Sequence, residues 1–600
     1  MNDAKISNDG IKPILGVIEQ LGSWNITNKN WSETDWKLEK ILARTMFNLY
    51  TGTFLSVDIM SSFFNNSKQF ITISAGKSGF QPITLDKILP ETTPWKQNLD
   101  VKGFDTHKDR YKKFMSTIFN LLVAKEGNSI SGDNSNIDEE VNRIVDLERE
   151  FIEVVKYINL RNITELKNNI KFMTIDELMK LTSFQFDWKA YFYEGTGKTI
   201  DANLKFMVLN PDNIKRIVQW LTKKPSSLLA NEIIWNVIRS LIQTLPAPFR
   251  SALAIYVKAS LPRWKVCSFL TDKKAFTFAT TLLYVEKHLS QSAMETAAEM
   301  FAEIKDQFIS GLKEQTWMDA ATRAQAKLKL QKMKDVIGFP SFIKNAEVLN
   351  GYYSNFFVNE SHFLQSYLNV VKAQILNKIK GFGWKVDKMR STISYLDTNA
   401  YYHPQQNSIT MLAGILDDPF YKDGRLNALN YGSLGMVVGH EITHGFDKSG
   451  SEYDENGNIR EWWTKESREN FRKRSKCMID QYNKVKIYGL QVNGIKTLSE
   501  NIADNGGLKF AFRAYQKWRK ANGNEKTLPA LSKFTNYQLF FISFAQTWCA
   551  KYKSVAHLKA KMKTDTHSPN PARVRVTLHN SPEFREAFGC PAPKNTCAVW

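Results

Sequence analysis

Val437–Asp447 reads VVGHEITHGFD, with two histidines four residues apart and a glutamate directly after the first. On an α-helix, positions i and i+4 lie about 40° apart around the axis. His440 and His444 therefore share one face, and their ring nitrogens can reach a single ion at about 2.0–2.1 Å. Glu441 is turned by about 100°, too far round to be the natural third ligand but near enough to touch a water beside the ion. Leu434, Met436, Val437, Val438, Ile442 and Phe446 surround these residues with apolar side chains, which marks a buried helix. Buried imidazoles and carboxylates need partners. A metal would meet that need; core histidines satisfied by hydrogen bonds are the alternative.

A closed structural zinc site takes a fourth protein ligand, often cysteine, whereas a catalytic one keeps three ligands and a water. The third ligand is sought in LSENIADNGGLKFAFRAYQKW, residues 498–518, which reads as a second buried helix. Glu500 and Asp504 are again four apart, on one face. One carboxylate can bind the metal while the next holds the second ring nitrogen of a histidine. Alone the two would be an ordinary exposed pair; after HEITH, among apolar neighbours, they read as ligand and orienter. Asp447, three residues after His444, is a second candidate orienter.

A third stretch, TDTHSPNPARVRV (564–576), puts His567 in a loop between Asp565 and two prolines, with Arg573 six residues on. Prolines stiffen such a loop and would hold an imidazole in place. A zinc peptidase must stabilise an oxyanion beyond what the metal supplies, and a fixed cationic histidine can do so. The rigid fork of an arginine can grip a substrate carbonyl.

The elements that position these residues are mostly helical. Apolar residues recur at spacings of three and four over 137–157, 214–244, 284–313, 321–335 and 361–381, which predicts helices there. Strand-like stretches are short: FITIS at 70–74 and NSITMLAGIL at 407–416. A polar loop, EGNSISGDNSNIDEE, lies near 126–140. Before about residue 385 helix follows helix without obvious chemistry, and after it polar residues of catalytic type concentrate. The expected organisation is a helical lobe at 1–385 and a catalytic lobe at 386–600.

Two decoys fail. EGTGKT at 194–199 resembles a phosphate loop, but the required glycine five positions earlier is Phe192. EYDENGN at 452–458 resembles a calcium loop, but the required glutamate is Trp463; a glycine turn between two short strands explains it better.

Six hundred residues with 43% apolar content can build a large core. The net charge is +21, so nucleic-acid binding must be weighed. No motif supports it: the basic residues are scattered, as in KRIVQW, FRKRSK and YQKWRK. A solvated basic surface is the simpler reading, with a preference for acidic partners or anionic glycans as the remaining hypothesis. No apolar run reaches the 18 or so residues of a membrane span, and MNDAKISNDG is not a signal peptide. Sequons stand at Asn25, Asn30, Asn65, Asn162 and Asn359; about five are expected by chance in such a chain, so they only permit a secreted reading. The cysteine count is odd, and three of the five lie near the C-terminus, which hints at disulfides with partners elsewhere.

The motifs NAYY (399–402), GHEITHGFD (439–447), ENIADNGG (500–507), THSP with Arg573, and the terminal CAVW together resemble the neprilysin and endothelin-converting-enzyme family of zinc metallopeptidases. The resemblance covers nearly the whole chain, weakly before about 260 and strongly after 390. It implies a mainly α fold of two helical lobes enclosing a large central cavity, the catalytic lobe built on a thermolysin-like zinc helix with a few short strands. It implies one zinc ion bound by His440, His444 and Glu500, with Glu441 as general base and Asp504 orienting a zinc histidine. His567 would stabilise the transition state. Asn399 and Ala400 would hold the substrate backbone like an added strand, and Arg573 would grip the carbonyl after the scissile bond. Ile415, Phe420, Val437 and Trp548 match the apolar pocket for the side chain following that bond. The cysteines matching Cys477 and Cys597 pair in the family. Those matching Cys267, Cys549 and Cys590 pair with a segment that family members carry before the region where this chain starts, along with a cytoplasmic tail and a membrane span. The chain is therefore expected to be a fragment or incomplete gene model that lacks part of the pocket wall.

The expected function is zinc-dependent hydrolysis of short peptides on the amino side of hydrophobic residues. A non-catalytic peptide-binding receptor of the same fold is the alternative; its sign would be a lost ligand or base, and none is lost. The expected partners are peptides and not nucleic acid, with membrane attachment only through the preceding segment. The parent is expected at the cell surface or outside the cell, as a glycoprotein and a monomer, with a dimer as the alternative.

Overall fold

The computed structural model describes residues 3–34, 36–77, 101–124, 135–157, 163–257, 262–380 and 393–600. It divides into two compact units. The first comprises Met1–Ser62, Ser67–Ala275 and Asn350–Val386; the second comprises Phe63–Asn66, Phe276–Leu349 and Asp387–Trp600. The expected boundary at 385/386 falls outside the described residues. Residues 276–349 belong to the second unit, because a strand and two helices within them pack into the same core as the chemistry-bearing motifs.

The first unit is helical around a small sheet. The periodic stretch 214–244 forms two helices, Pro211–Leu221 and Ser226–Leu241. Pro225, which fixes φ and lacks an N–H, separates them. Asn210 caps the first by accepting from the Asn213 N–H, and the second is buried along nearly its whole length. FITIS lies in strand β2, Gln69–Ala75, antiparallel to β1, Leu55–Ser61. With β3 (Ile170–Met173) and β4 (Phe206–Leu209) the sheet runs in the order β1-β2-β4-β3. Trp24, Trp188 and Trp235 are fully buried in this core. In EGTGKT, Gly197 takes a left-handed conformation (φ 67°) that ends helix Trp188–Thr196, the ordinary use of a glycine at a helix terminus. The 137–157 pattern forms helix Ser135–Val154 and the 361–381 pattern forms Phe363–Lys380; residues 126–134 of the polar loop lie outside the described residues.

In the second unit the 284–313 periodicity breaks at Ser290. Its hydroxyl caps a new helix, α1 (Gln291–Gly311), after helix Thr277–His288. Asp319 caps α2 (Ala320–Lys332) by accepting from the Thr322 N–H at 2.9 Å. The last residues of the predicted 321–335 helix start a strand instead. This β5 (Lys334–Gly338) pairs in parallel with β7 (Ser408–Leu412), Lys334 opposite Ser408. β6 (Ala400–His403) joins antiparallel on the other side of β7, Ala400 opposite Met411, so the order is β5-β7-β6. The second half of NSITMLAGIL turns into a 3-10 turn at Ala413–Ile415.

Three further helices carry the chemistry: α3 (Met436–His444), α4 (Leu498–Asn522) and α5 (Asn570–Asn580). An aromatic core lies behind them. Phe308 of α1 stacks on Phe510 of α4 with centroids 4.3 Å apart, and Trp600 sits 5.4 Å from Phe308 and 5.5 Å from Phe446. A disulfide between Cys477 and Cys597 ties the C-terminal segment down. The EYDENGN stretch is a turn at Gly457 (φ 85°) flanked by a bridge between Tyr453 and Ile459. Among the described residues, no helix is long and apolar enough to cross a membrane.

Candidate metal centre

α3 and α4 cross at contact distance, and glycines make the crossing possible. A methyl group on Gly439 would come within 2.6 Å of the Gly507 carbonyl oxygen, and one on Gly507 within 2.6 Å of the His440 nitrogen. One on Gly506 would meet Thr443 at 2.7 Å. Any larger residue at these positions would force the helices apart. The close approach brings Glu500 and Asp504, one turn apart on α4, against His440 and His444 on α3.

His440 Nδ1 bonds Asp504 Oδ1 at 2.9 Å, and His444 Nδ1 bonds Asp447 Oδ2 at 2.7 Å. An ionised carboxylate only accepts, so both Nδ1 atoms donate. In a neutral ring that leaves a lone pair on each Nε2, and the two Nε2 atoms lie 3.0 Å apart. Each is also 3.3 Å from Glu500 Oε2, and His567 Nε2 is 3.1 Å from that same oxygen. Glu500 Oε2 is buried and accepts no aligned hydrogen bond among the described residues. Lone pairs and a carboxylate oxygen converging on one point repel one another unless a proton or a metal cation sits among them.

The electrostatics agree. Burial would lower the pKa of His444, but the charge of Glu500 and the bond to Asp447 raise it well above the ordinary value. Burial would raise Glu500, yet the charge of His444 and the nearby imidazoles hold it well below the carboxylate range. The centre thus attracts positive charge, and its donor set of two imidazoles and a carboxylate suits zinc. His440, Glu500 and His567 also form a group whose ligand atoms lie within 4.8 Å of one another.

Asp504 is fully buried and accepts two bonds from Arg573, Nε to Oδ2 at 2.8 Å and Nη2 to Oδ1 at 2.6 Å. Burial would raise its pKa, but the Arg573 charge, these bonds and His440 hold it at about 2. Arg573 is also buried, and its guanidinium lies 3.6 Å from the Trp548 ring centroid. Burial would lower the pKa of His567, but its bond to Asp565, at 2.8 Å, and the proximity of Glu500 carry it up to about 9. Glu441 is buried on α3 next to His440, and its charge acts on the Tyr401 phenol.

Val437 and Ile415 are buried in one apolar cluster, and Phe420 and Trp548 pack against it. Asn399 is exposed and Ala400 buried at the start of β6. β6 is the outer strand of its sheet, so one edge of its backbone takes no strand partner among the described residues. Sequence reasoning gave Asp565 no role. It accepts from both the backbone N–H and Nδ1 of His567, and a carboxylate two residues before a histidine in a stiff loop was the available signal.

Two models described as Peptidase family M13 match, one over residues 1–340 and one over 399–597. The chain is 33% identical over 621 residues to the endothelin-converting enzyme homolog of Locusta migratoria, covering 100% of this chain and 81% of that protein. It is 30% identical over 627 residues to neprilysin of Oryctolagus cuniculus, with the same shares covered. The fold is similar to that of the zinc metalloprotease Zmp1 of Mycobacterium tuberculosis, with a TM-score of 0.80 at 22% identity, over 100% of this chain and 85% of that one. The chain belongs to peptidase family M13 and is a metalloendopeptidase.

Proposed function

We propose that the protein is a zinc endopeptidase of short peptides that cleaves on the amino side of hydrophobic residues. The observation that carries this reading is the convergence of His440 Nε2, His444 Nε2 and Glu500 Oε2 within 3.0–3.3 Å, each imidazole held from behind by a carboxylate. These three residues would hold the ion. When bound, zinc supplies a Lewis acid that polarises the scissile carbonyl and makes water a stronger acid.

The remaining steps belong to side chains. Glu441 takes the proton of the attacking water and passes it to the leaving amine. His567, kept cationic by Asp565, donates toward the oxyanion that develops on the carbonyl. Asn399 and Ala400 offer the open edge of β6 to the substrate backbone, the usual way an extended peptide adds to a sheet. Arg573, set by Asp504 and by the Trp548 face, takes the next carbonyl, and Ile415, Phe420, Val437 and Trp548 receive the following apolar side chain.

The Cys477–Cys597 bond supports an oxidising compartment, and we place the protein outside the cell or at its surface, as a monomer. Of the sequons, Asn30, Asn65 and Asn359 are exposed and open to glycosylation, whereas Asn162 lies outside the described residues. The test is Glu441→Gln: zinc content should stay the same while turnover of a hydrophobic peptide falls by orders of magnitude. Retained turnover would remove Glu441 from its role.

A further inference from the structure

Lys329 of α2 is 1% exposed, and the chemistry above makes no use of it. Its ammonium donates to three carbonyl oxygens, those of Gly445, Gly450 and Tyr453, each at 2.7 Å. That is the full donor capacity of a protonated lysine. The rings of Phe446, Tyr402 and Trp462 surround it, with centroids at 5.4, 5.8 and 5.9 Å. Burial pushes its pKa down to about 7 against the pull of Asp447, Asp454 and Glu455. A cation so deeply buried, with no carboxylate bonded to it directly among the described residues, is costly, and its acceptors indicate what it serves.

Gly445 directly follows His444 at the end of α3, where helix carbonyls lack partners and carry partial negative charge. Gly450 and Tyr453 lie beyond the turn that carries Asp447. The ammonium therefore clamps both ends of that turn. Inside it, Asp447 Oδ1 accepts from the N–H groups of Ser449 and Gly450, each at 2.7 Å, while Oδ2 holds His444 Nδ1. The turn folds back so closely that a methyl group on Gly450 would come within 1.8 Å of the His444 carbonyl oxygen. Asn407 completes the knot, donating to the Lys329 carbonyl at 2.9 Å and to that of Glu455 at 3.1 Å.

We propose that Lys329 is a positioning residue for the metal centre: by clamping Gly445, Gly450 and Tyr453 it fixes the turn that presents Asp447, and Asp447 fixes the ring of His444. The proposal rests on the zinc reading above. A core brace with no such role would lower stability but leave the zinc affinity of the folded protein alone.

The experiment is a double-mutant cycle on zinc affinity, measured by competition with a chromophoric chelator on the folded, metal-stripped full chain. Lys329→Met is expected to weaken zinc binding by about 10-fold or more, the scale of losing an outer partner of a ligand. In an Asp447→Ala background, the same change should cost less than about two-fold further, because its route to His444 is already cut. Wild-type affinity in Lys329→Met overturns the proposal, and so does a loss that is fully additive with Asp447→Ala. If the wild-type protein itself binds no zinc, the functional reading fails instead. Should Lys329→Met not fold, the cycle is run with Lys329→Gln, whose amide has two donors for the three carbonyls; coupling to Asp447→Ala supports the proposal, and strict additivity or no effect overturns it.

Discussion

Replacing Asp504 by alanine removes one carboxylate that serves two neighbours. Its Oδ1 takes His440 Nδ1 at 2.9 Å, and its two oxygens take the Arg573 fork at 2.6 and 2.8 Å, all three residues being buried. Two separate losses follow. Zinc affinity should fall about 10–100-fold because His440 loses the partner that sets its tautomer and ring plane, which corresponds to about 1.4–2.8 kcal/mol. Stability should fall by about 3–5 kcal/mol, because Arg573 is left buried without its counter-charge. Asp504→Ala combined with Arg573→Met separates the two: most of the stability should return while zinc affinity stays low. The pH dependence has a definite sign. The folded pKa is about 2, below the ordinary aspartate value, so the stabilisation is present above about pH 4 and lost as pH falls toward 2. Asp504→Ala should flatten the acid limb of stability against pH in this window. The measurements are chelator competition on folded protein and thermal melts across pH. Zinc affinity unchanged within two-fold would refute the claim that Asp504 holds His440.

Trp548→Ala removes both a pocket wall and the ring under Arg573, so kcat/KM for a bulky apolar residue after the scissile bond should drop toward that for alanine, by about 10-fold or more in paired peptide assays; an unchanged ratio removes Trp548 from the pocket. Cys477→Ser should cost about 4–5 kcal/mol in the chain-entropy model for a sequence separation of 120, and reductant should lower the Tm of the native protein but not of the variant. Asp319 caps α2 and also accepts from Thr464 and Ser467. Burial would raise its pKa, but these bonds hold it well below the usual carboxylate range. Asp319→Ala should destabilise by about 1 kcal/mol or more at neutral pH, with the difference from wild type shrinking as pH falls below about 4; a constant difference in melts across pH would contradict this.

Where sequence periodicity pointed to helices, helices formed, because 3.6-residue spacing reports burial on one face and these faces are buried. Their ends were less legible. Periodicity ran through Ser290 and Pro225, where a cap and a missing donor divide each stretch into two helices. It ran into Lys334, where pairing with β7 outweighs helix propensity. The grouping of residues 276–349 with the catalytic unit depends on the β5–β7 pairing, a long-range contact that leaves no local pattern. At the candidate metal centre, the juxtaposition of histidines and carboxylates was readable because four-residue spacing fixes their faces. The glycines at 439, 506 and 507 stand within the motifs, but their part in the helix crossing appears only from what a methyl group there would strike. Lys329 gave no signal, since a lysine in AKLKLQK looks solvated until three carbonyls are seen to surround it.

X-ray absorption spectroscopy of the zinc-loaded protein, repeated on Glu500→Ala, is the most direct test of the centre. Two imidazole nitrogens and a carboxylate oxygen are expected at about 2.0–2.2 Å, with the carboxylate contribution lost in the variant. A spectrum that Glu500→Ala leaves unchanged, or one dominated by sulfur, would contradict it.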